Sequence, residues 1–166
     1  AEAAAGSLSR ARLLVDDPAL HGRRNAWHSV PSRLDGSGAA VAVLVEELRA
    51  MIDDAQAPLV ARHEVELEAL AEREEAFGTR GSGRRELVDR QRREVRRLRD
   101  DELRFGLATI SRVYRDAARA ASEAGQPVDS AMDATARITG ATGELVRNPN
   151  ETLLLQALLL DLPTAG

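Results

Sequence analysis

Three histidines are the only imidazoles that this sequence offers for acid–base or metal chemistry. His21 and His28 are seven residues apart, which is about 10 Å along a helix and too far to share a metal ion without a third ligand. His63 lies close to Glu66, but no glutamate stands three residues before any histidine, as the helical di-iron sites require. We therefore predict no metal site and no metal cofactor.

Other catalytic side chains are missing or lack the context that they need. The chain has no cysteine, and all 23 of its basic residues are arginine, so thiolate, disulfide and Schiff-base chemistry and the lysine of a phosphate-binding P-loop are excluded. No serine stands in a G-x-S-x-G context. We expect a non-enzymatic chain without catalytic residues, cofactor or small-molecule substrate.

Arginines cluster in residues 84–99, which hold eight of them together with Glu86, Asp89 and Glu94. Two interpretations remain open: a helix that pairs its charges with an acidic neighbour, or a helix that contacts nucleic-acid phosphates. The interspersed acids and the lack of interleaved aromatic residues favour the first. The candidate contacts to phosphate or to an acidic partner are Arg84, Arg85, Arg92, Arg93, Arg96 and Arg97.

Composition indicates the fold class that must position these residues. The 166 residues are 43% hydrophobic but only 2% aromatic, so the core must consist mainly of Ala, Leu and Val, which suits packed helices better than a sheet. We predict an all-α helical bundle. The longest apolar run, 153–160, is far too short to span a bilayer, so we expect no membrane segment and a cytoplasmic location. Because Ala1 is not an initiator Met, we expect a fragment of a longer protein.

Breakers and caps divide the first half of the chain into helices. Asp17 and Pro18 predict a helix start, and Pro31 predicts its end near Val30. A turn at 35–38 precedes a long helix that extends to Gly78. Pro58 predicts either a kink in that helix or a join between two helices.

Charge divides the middle of the chain into two arms. Residues 62–75 hold six Glu and two Arg, the loop 78–83 is rich in glycine, and the basic run follows. Because the loop is short and the charges are complementary, we predict a charged antiparallel helical hairpin over about 59–105. The basic arm then continues into an amphipathic helix that ends near Gly125.

The last two helices have their own start signals. Asp129 is expected to cap the first of them, which reaches about Arg147. Asn148 is expected to cap the second, with Glu151 completing a capping box. This terminal helix is apolar nearly all round, so we expect it to be buried in the domain or against a partner. Its candidate core or interface residues are Leu153, Leu154, Leu155, Leu158, Leu159 and Leu162.

Four segments together resemble a known family. They are 6–14 (GSLSRARLL), 24–31 (RNAWHSVP), 92–116 (RREVRRLRDDELRFGLATISRVYRD) and 148–162 (NPNETLLLQALLLDL). In this order they resemble the C-terminal part of the delta-prime subunit of the bacterial DNA polymerase III clamp loader, especially its actinobacterial form.

The resemblance implies that residues 1–16 end the lid of an AAA+ module and that 17–166 form the helical collar domain. It further implies a non-catalytic oligomerisation scaffold whose partners are the other clamp-loader subunits, and which helps to assemble the complex that loads the sliding clamp on primed DNA. The alternative function is a helical nucleic-acid-binding module that uses the basic helix, with DNA as partner. The family's Gly-Ser-x-Arg sensor is displaced by one place at Arg10, and its shorter members lack the charged hairpin, so the resemblance supplies neither a nucleotide-sensing role nor a role for the hairpin.

Overall fold

The computed structural model describes residues 19–78 and 83–164. These ranges contain five α-helices, one short 3-10 helix and no strand, which confirms the predicted all-α class. The helices are α1 (Ala19–Arg33), α2 (Gly38–Phe77), α3 (Arg84–Glu123), α4 (Asp129–Glu144), the 3-10 helix (Leu145–Arg147) and α5 (Glu151–Asp161).

Some sequence predictions lie outside the described residues. These are the lid end at 1–16 with its segment 6–14, the helix start at Asp17 and Pro18, and the middle of the loop between α2 and α3.

None of the helices in the described ranges has both the length and the apolar character that crossing a membrane requires.

The chain forms two compact units. Among the described residues, unit 1 comprises 19–48 with 105–164, and unit 2 comprises 49–78 with 83–104. Helices α2 and α3 therefore each run from one unit into the other. Unit 2 contains most of the predicted hairpin, and unit 1 contains α1, α4 and α5.

The core of unit 1 is apolar and fully enclosed. Trp27, Val30, Leu107 and Ile110 are each 0% exposed. The ring of Trp27 lies directly against α3 at Gly106, where an added Cβ would meet Trp27 Cε2 at 2.1 Å. The predicted amphipathic pattern of α3 thus supplies this core, with glycine at the point of closest approach.

Both internal prolines lie within helices, which contradicts the predicted helix end at Val30 and one of the two alternatives predicted for Pro58. Helix α1 passes Pro31 and ends at Arg33, because Pro31 falls in the last turn and is itself buried with Val30 in the core. Helix α2 is continuous through Pro58, so the predicted join is wrong. Because proline has no backbone N–H, the carbonyl oxygen of Asp54 lacks its usual hydrogen bond within the helix. Pro58 and Asp54 are both exposed, so water can bond to this carbonyl instead.

The predicted caps of the last two helices are wrong by one or two residues. Asp129 is the first residue of α4 rather than its cap, and Val128 occupies the cap position without a side-chain hydrogen bond. Helix α5 is capped by Asn150, whose side chain accepts a hydrogen bond from Leu153 N at 3.1 Å. Asn148 instead ends the 3-10 helix in the left-handed region, with φ of 53°, and this turn moves the start of α5 two residues along.

Candidate functional site

Ion pairs join the two arms of unit 2. Arg90 Nη2 lies 2.6 Å from Glu66 Oε2, and Arg62 Nη2 lies 2.8 Å from Glu94 Oε2. Arg99 pairs with Asp53 nearer the base of the unit. Because higher residue numbers on one arm pair with lower numbers on the other, the arms are antiparallel, as predicted. We call this inner face of the hairpin the seam.

The middle of the seam is buried and polar. His63 is 6% exposed, and its Nε2 lies 2.9 Å from Glu94 Oε2. Gln91 is also 6% exposed and donates from Nε2 to the His63 carbonyl oxygen at 3.0 Å and to Glu66 Oε2 at 3.2 Å. A buried polar group is costly without partners, so these bonds specify one register of the two helices.

The seam lowers the pKa of both of its central carboxyl groups. The pKa of Glu94 is lowered mainly by the hydrogen bond with His63, and then by the positive charges of Arg62 and Arg90. The pKa of Glu66 is lowered mainly by the hydrogen bond from Gln91, with Arg90 and Arg62 adding to it. Both carboxylates are therefore stabilised in the charged form that the seam uses.

The six candidate arginines of the basic arm lie outside the seam. Arg84, Arg85, Arg92, Arg93, Arg96 and Arg97 are all exposed. Only Arg92 has an ion-pair partner among the described residues, Asp89 at 3.9 Å, and its side chain remains 78% exposed. The charge pairing that the sequence predicted is thus made by Arg62, Arg90 and Arg99, and the six candidates face solvent.

The candidate leucines of the terminal helix divide between core and surface. Leu155, Leu158, Leu159 and Leu162 are between 0% and 6% exposed. Leu154 is half-buried, whereas Leu153 is 63% exposed. Leu160, which the sequence did not single out, is 51% exposed. Within this chain α5 therefore buries one face and exposes the other, on which Leu153 and Leu160 lie.

The remaining polar candidates are dispersed. His21 and His28 are exposed, and Ser29 and Ser32 donate their hydroxyls to backbone carbonyls within α1. Within the described ranges no group of three or more His, Cys, Asp or Glu is placed to hold a metal ion. The Ser29 and Ser32 hydroxyls are therefore bonded within α1 rather than to a histidine.

An open groove in unit 1, with a volume of about 370 Å³, is lined by alanines and by Tyr114, Pro127 and Pro163. The Tyr114 hydroxyl donates to the Pro163 carbonyl oxygen, and burial raises the pKa of Tyr114 to about 12. Tyr114 is therefore protonated at neutral pH and acts as a hydrogen-bond donor that holds the segment after α5.

Sequence reasoning did not predict the contact between His63 and Glu94 or the role of Gln91. Counting outward equally from the loop 78–83 places Leu98 opposite His63, so the loop position gives the register of the two arms only to within about one helical turn. Glu94 is one helical turn from Leu98.

Comparisons of the chain with protein-family models, curated proteins and solved structures find no match.

Proposed function

We propose that this chain is a non-catalytic oligomerisation scaffold, the lid end and collar region of a clamp-loader delta-prime subunit. In this role it joins the other subunits of the loader in the cytoplasm and helps to assemble the complex that places the sliding clamp on primed DNA. The proposal is supported by the four-segment resemblance, by the all-α fold and by the surface of α5.

The observation that carries the proposal is the apolar outer face of α5. Leu153 and Leu160 are seven residues apart, so they lie on one face of the helix, and exposed Ala157 lies between them. When an amphipathic helix binds in the groove of a partner protein, apolar side chains at this spacing make the contact. Single exposed leucines are common on protein surfaces, but two large ones on one face form a strip of the kind that a partner covers.

The opposite face of α5 holds this strip in place. Leu155 and Leu159 are almost completely buried in unit 1. Arg137 of α4 pairs with Asp161 at the end of α5, with Nη1 3.1 Å from Oδ2. A partner would therefore meet a surface whose backbone is already ordered, which lowers the entropic cost of association.

The test is assembly with the other purified clamp-loader subunits, followed by sedimentation velocity. Replacement of both exposed leucines in L153E/L160E should weaken assembly at least about tenfold, because each charge would have to be desolvated at the interface. Far-UV circular dichroism and Trp27 fluorescence should match the unaltered chain, since both leucines lie outside the core.

The matched control is V60E/V65E, which adds two charges at apolar side chains that are 41% and 63% exposed on unit 2. This variant should assemble normally. Failure of the unaltered chain to join any clamp-loader subunit would overturn the proposal, and so would full assembly by L153E/L160E.

A further inference from the structure

The solvent face of α3 in unit 2 carries exposed cations in two groups, at residues 84–85 and 92–97, which we together call the arginine stripe. It consists of Arg84, Arg85, Arg92, Arg93, Arg96 and Arg97, all exposed. At 1.5 Å per residue it extends about 20 Å along the helix. The stripe lies on the side of α3 away from the seam, because buried Gln91 and half-buried Glu94 define the seam side.

The charge of the stripe is only partly neutralised within the described part of the chain, where Arg92 has Asp89 as its partner at 3.9 Å. The seam carboxylates Glu66 and Glu94 are paired with Arg62 and Arg90. On the solvent face between residues 84 and 97, Glu86 and Asp89 are the acids that accompany six arginines. A chain with a net charge of −4 thus has a local excess of positive charge on one helix face.

The chemistry of this face favours phosphate over a protein partner. The exposed large apolar side chains of the described residues all lie outside residues 84–97, so the stripe lacks the apolar anchors that dominate protein interfaces. Phosphate binding needs only cations with suitable geometry. The planar guanidinium group of arginine provides it, because it can donate two parallel hydrogen bonds to phosphate oxygens. Residues 84–97 contain no aromatic side chain, so base stacking on the stripe itself cannot contribute to binding.

We propose that the arginine stripe binds the phosphate backbone of double-stranded nucleic acid without reading its sequence. A duplex carries one negative charge per about 1.7 Å of axis, so a segment as long as the stripe presents about a dozen phosphates. This surface belongs to unit 2, and the inference does not depend on the scaffold role of α5.

The experiment is a titration of the whole chain against a fluorescently labelled 20-base-pair DNA duplex, read by anisotropy at 50 and 200 mM NaCl. If about four arginines contact phosphate, affinity should fall about 100-fold between the two salt concentrations. R92Q/R93Q/R96Q/R97Q should bind the duplex at least tenfold more weakly at 50 mM NaCl. The slope of its log affinity against log salt concentration should become shallower by about 1 for each lost phosphate contact.

The control R33Q/R115Q/R119Q/R147Q removes four exposed arginines of unit 1 and has the same net charge as the stripe variant. It should bind the duplex like the unaltered chain, and circular dichroism should show equal helix content for both variants. Three outcomes would overturn the proposal: no binding at 50 mM NaCl, equal losses in the two variants, or competition by poly-glutamate as effective as that by unlabelled duplex. The last outcome would identify an acidic polypeptide as the partner.

Discussion

At the scale of single residues, the packing of Trp27 against Gly106 is the tightest constraint in unit 1. Trp27 is completely buried, and its six-membered ring occupies the space that any side chain at position 106 would need. Glycine in a helix interior weakens the helix relative to alanine, by about 0.5–1 kcal/mol. Here that cost is offset by the burial of a whole indole ring against the backbone of α3.

We predict that Gly106→Ala destabilises unit 1 by about 1–3 kcal/mol, because the added methyl group overpacks the core. Urea unfolding followed by Trp27 fluorescence measures the change. Gly140→Ala is the matched control, since Gly140 lies inside α4 and no atom approaches within 4 Å of its added Cβ. It should stabilise the chain by about 0.5–1 kcal/mol, and an equal urea midpoint for the two variants would contradict the packing argument.

This constraint could not be predicted from the sequence. The spacing of Leu107, Ile110 and Tyr114 correctly identifies the buried face of α3. It does not identify which side chain of another helix lies against the gap at Gly106, since that partner, Trp27, is distant in sequence. The amphipathic pattern therefore predicts the core face, and only the assembled helices show why its glycine is needed.

At the scale of helices, the sequence predicts that a helix exists and where it approximately ends better than it predicts which residue caps it. All five described helices are expected from periodicity and breakers, yet Asn148 and Asn150 are chemically equal candidates to cap α5. The choice depends on the left-handed backbone at Asn148, which ends the preceding 3-10 helix. Prolines mislead for a related reason: whether Pro31 and Pro58 interrupt a helix depends on burial and solvent access, which composition does not reveal.

The charge pattern also predicts the hairpin without predicting its seam. The short loop and the opposite net charges of the two arms are together sufficient to predict antiparallel pairing. They do not show that Arg90 rather than Arg92 faces the acidic arm, because that depends on the rotation of α3 about its axis. The buried side chains of His63 and Gln91 set this rotation.

We predict that acid weakens the seam. The pKa values of Glu66 and Glu94 are lowered in the folded state, so their contribution to stability is complete above the unfolded carboxyl pKa of about 4.3 and is lost as the pH falls through the folded values. The free energy of unfolding of unit 2 should therefore decrease below about pH 4.3. Urea unfolding at several pH values, followed by circular dichroism at 222 nm, measures it.

The variant E66Q/E94Q separates the seam from other carboxyl groups. It should be less stable than the unaltered chain at pH 7 and should show a shallower decrease with acid. E64Q/E68Q is the control, because both residues are exposed and neither has a partner across the seam among the described residues. If E66Q/E94Q kept the full acid dependence, the seam would not be its source.

At the scale of the whole molecule, the two units differ in what stabilises them. Unit 1 has an extended apolar core that includes the only tryptophan, Trp27. In unit 2 the buried apolar residues are Ile52 and Leu103, both within a few residues of the unit's ends. Beyond them the seam consists of half-buried aliphatic side chains, buried polar groups and exposed ion pairs. Each exposed ion pair contributes little to stability.

We therefore predict that the chain does not unfold in a single transition. In a urea titration at neutral pH, circular dichroism should lose part of its helical signal before Trp27 fluorescence changes, because unit 2 unfolds first. The variant E66Q/E94Q should shift the early loss of ellipticity to lower urea and leave the fluorescence midpoint in place. Noncoincident probes are the standard sign that a chain is not two-state.

Coincident transitions would contradict this prediction and have a specific structural meaning. Helices α2 and α3 continue without a break from one unit into the other. Because helix formation is cooperative along the chain, helical order in the unit 1 part of α2 and α3 would then extend along the same helices through unit 2. The comparison of the two probes thus decides whether the hairpin is stabilised by its own seam or by the helices that it shares with unit 1.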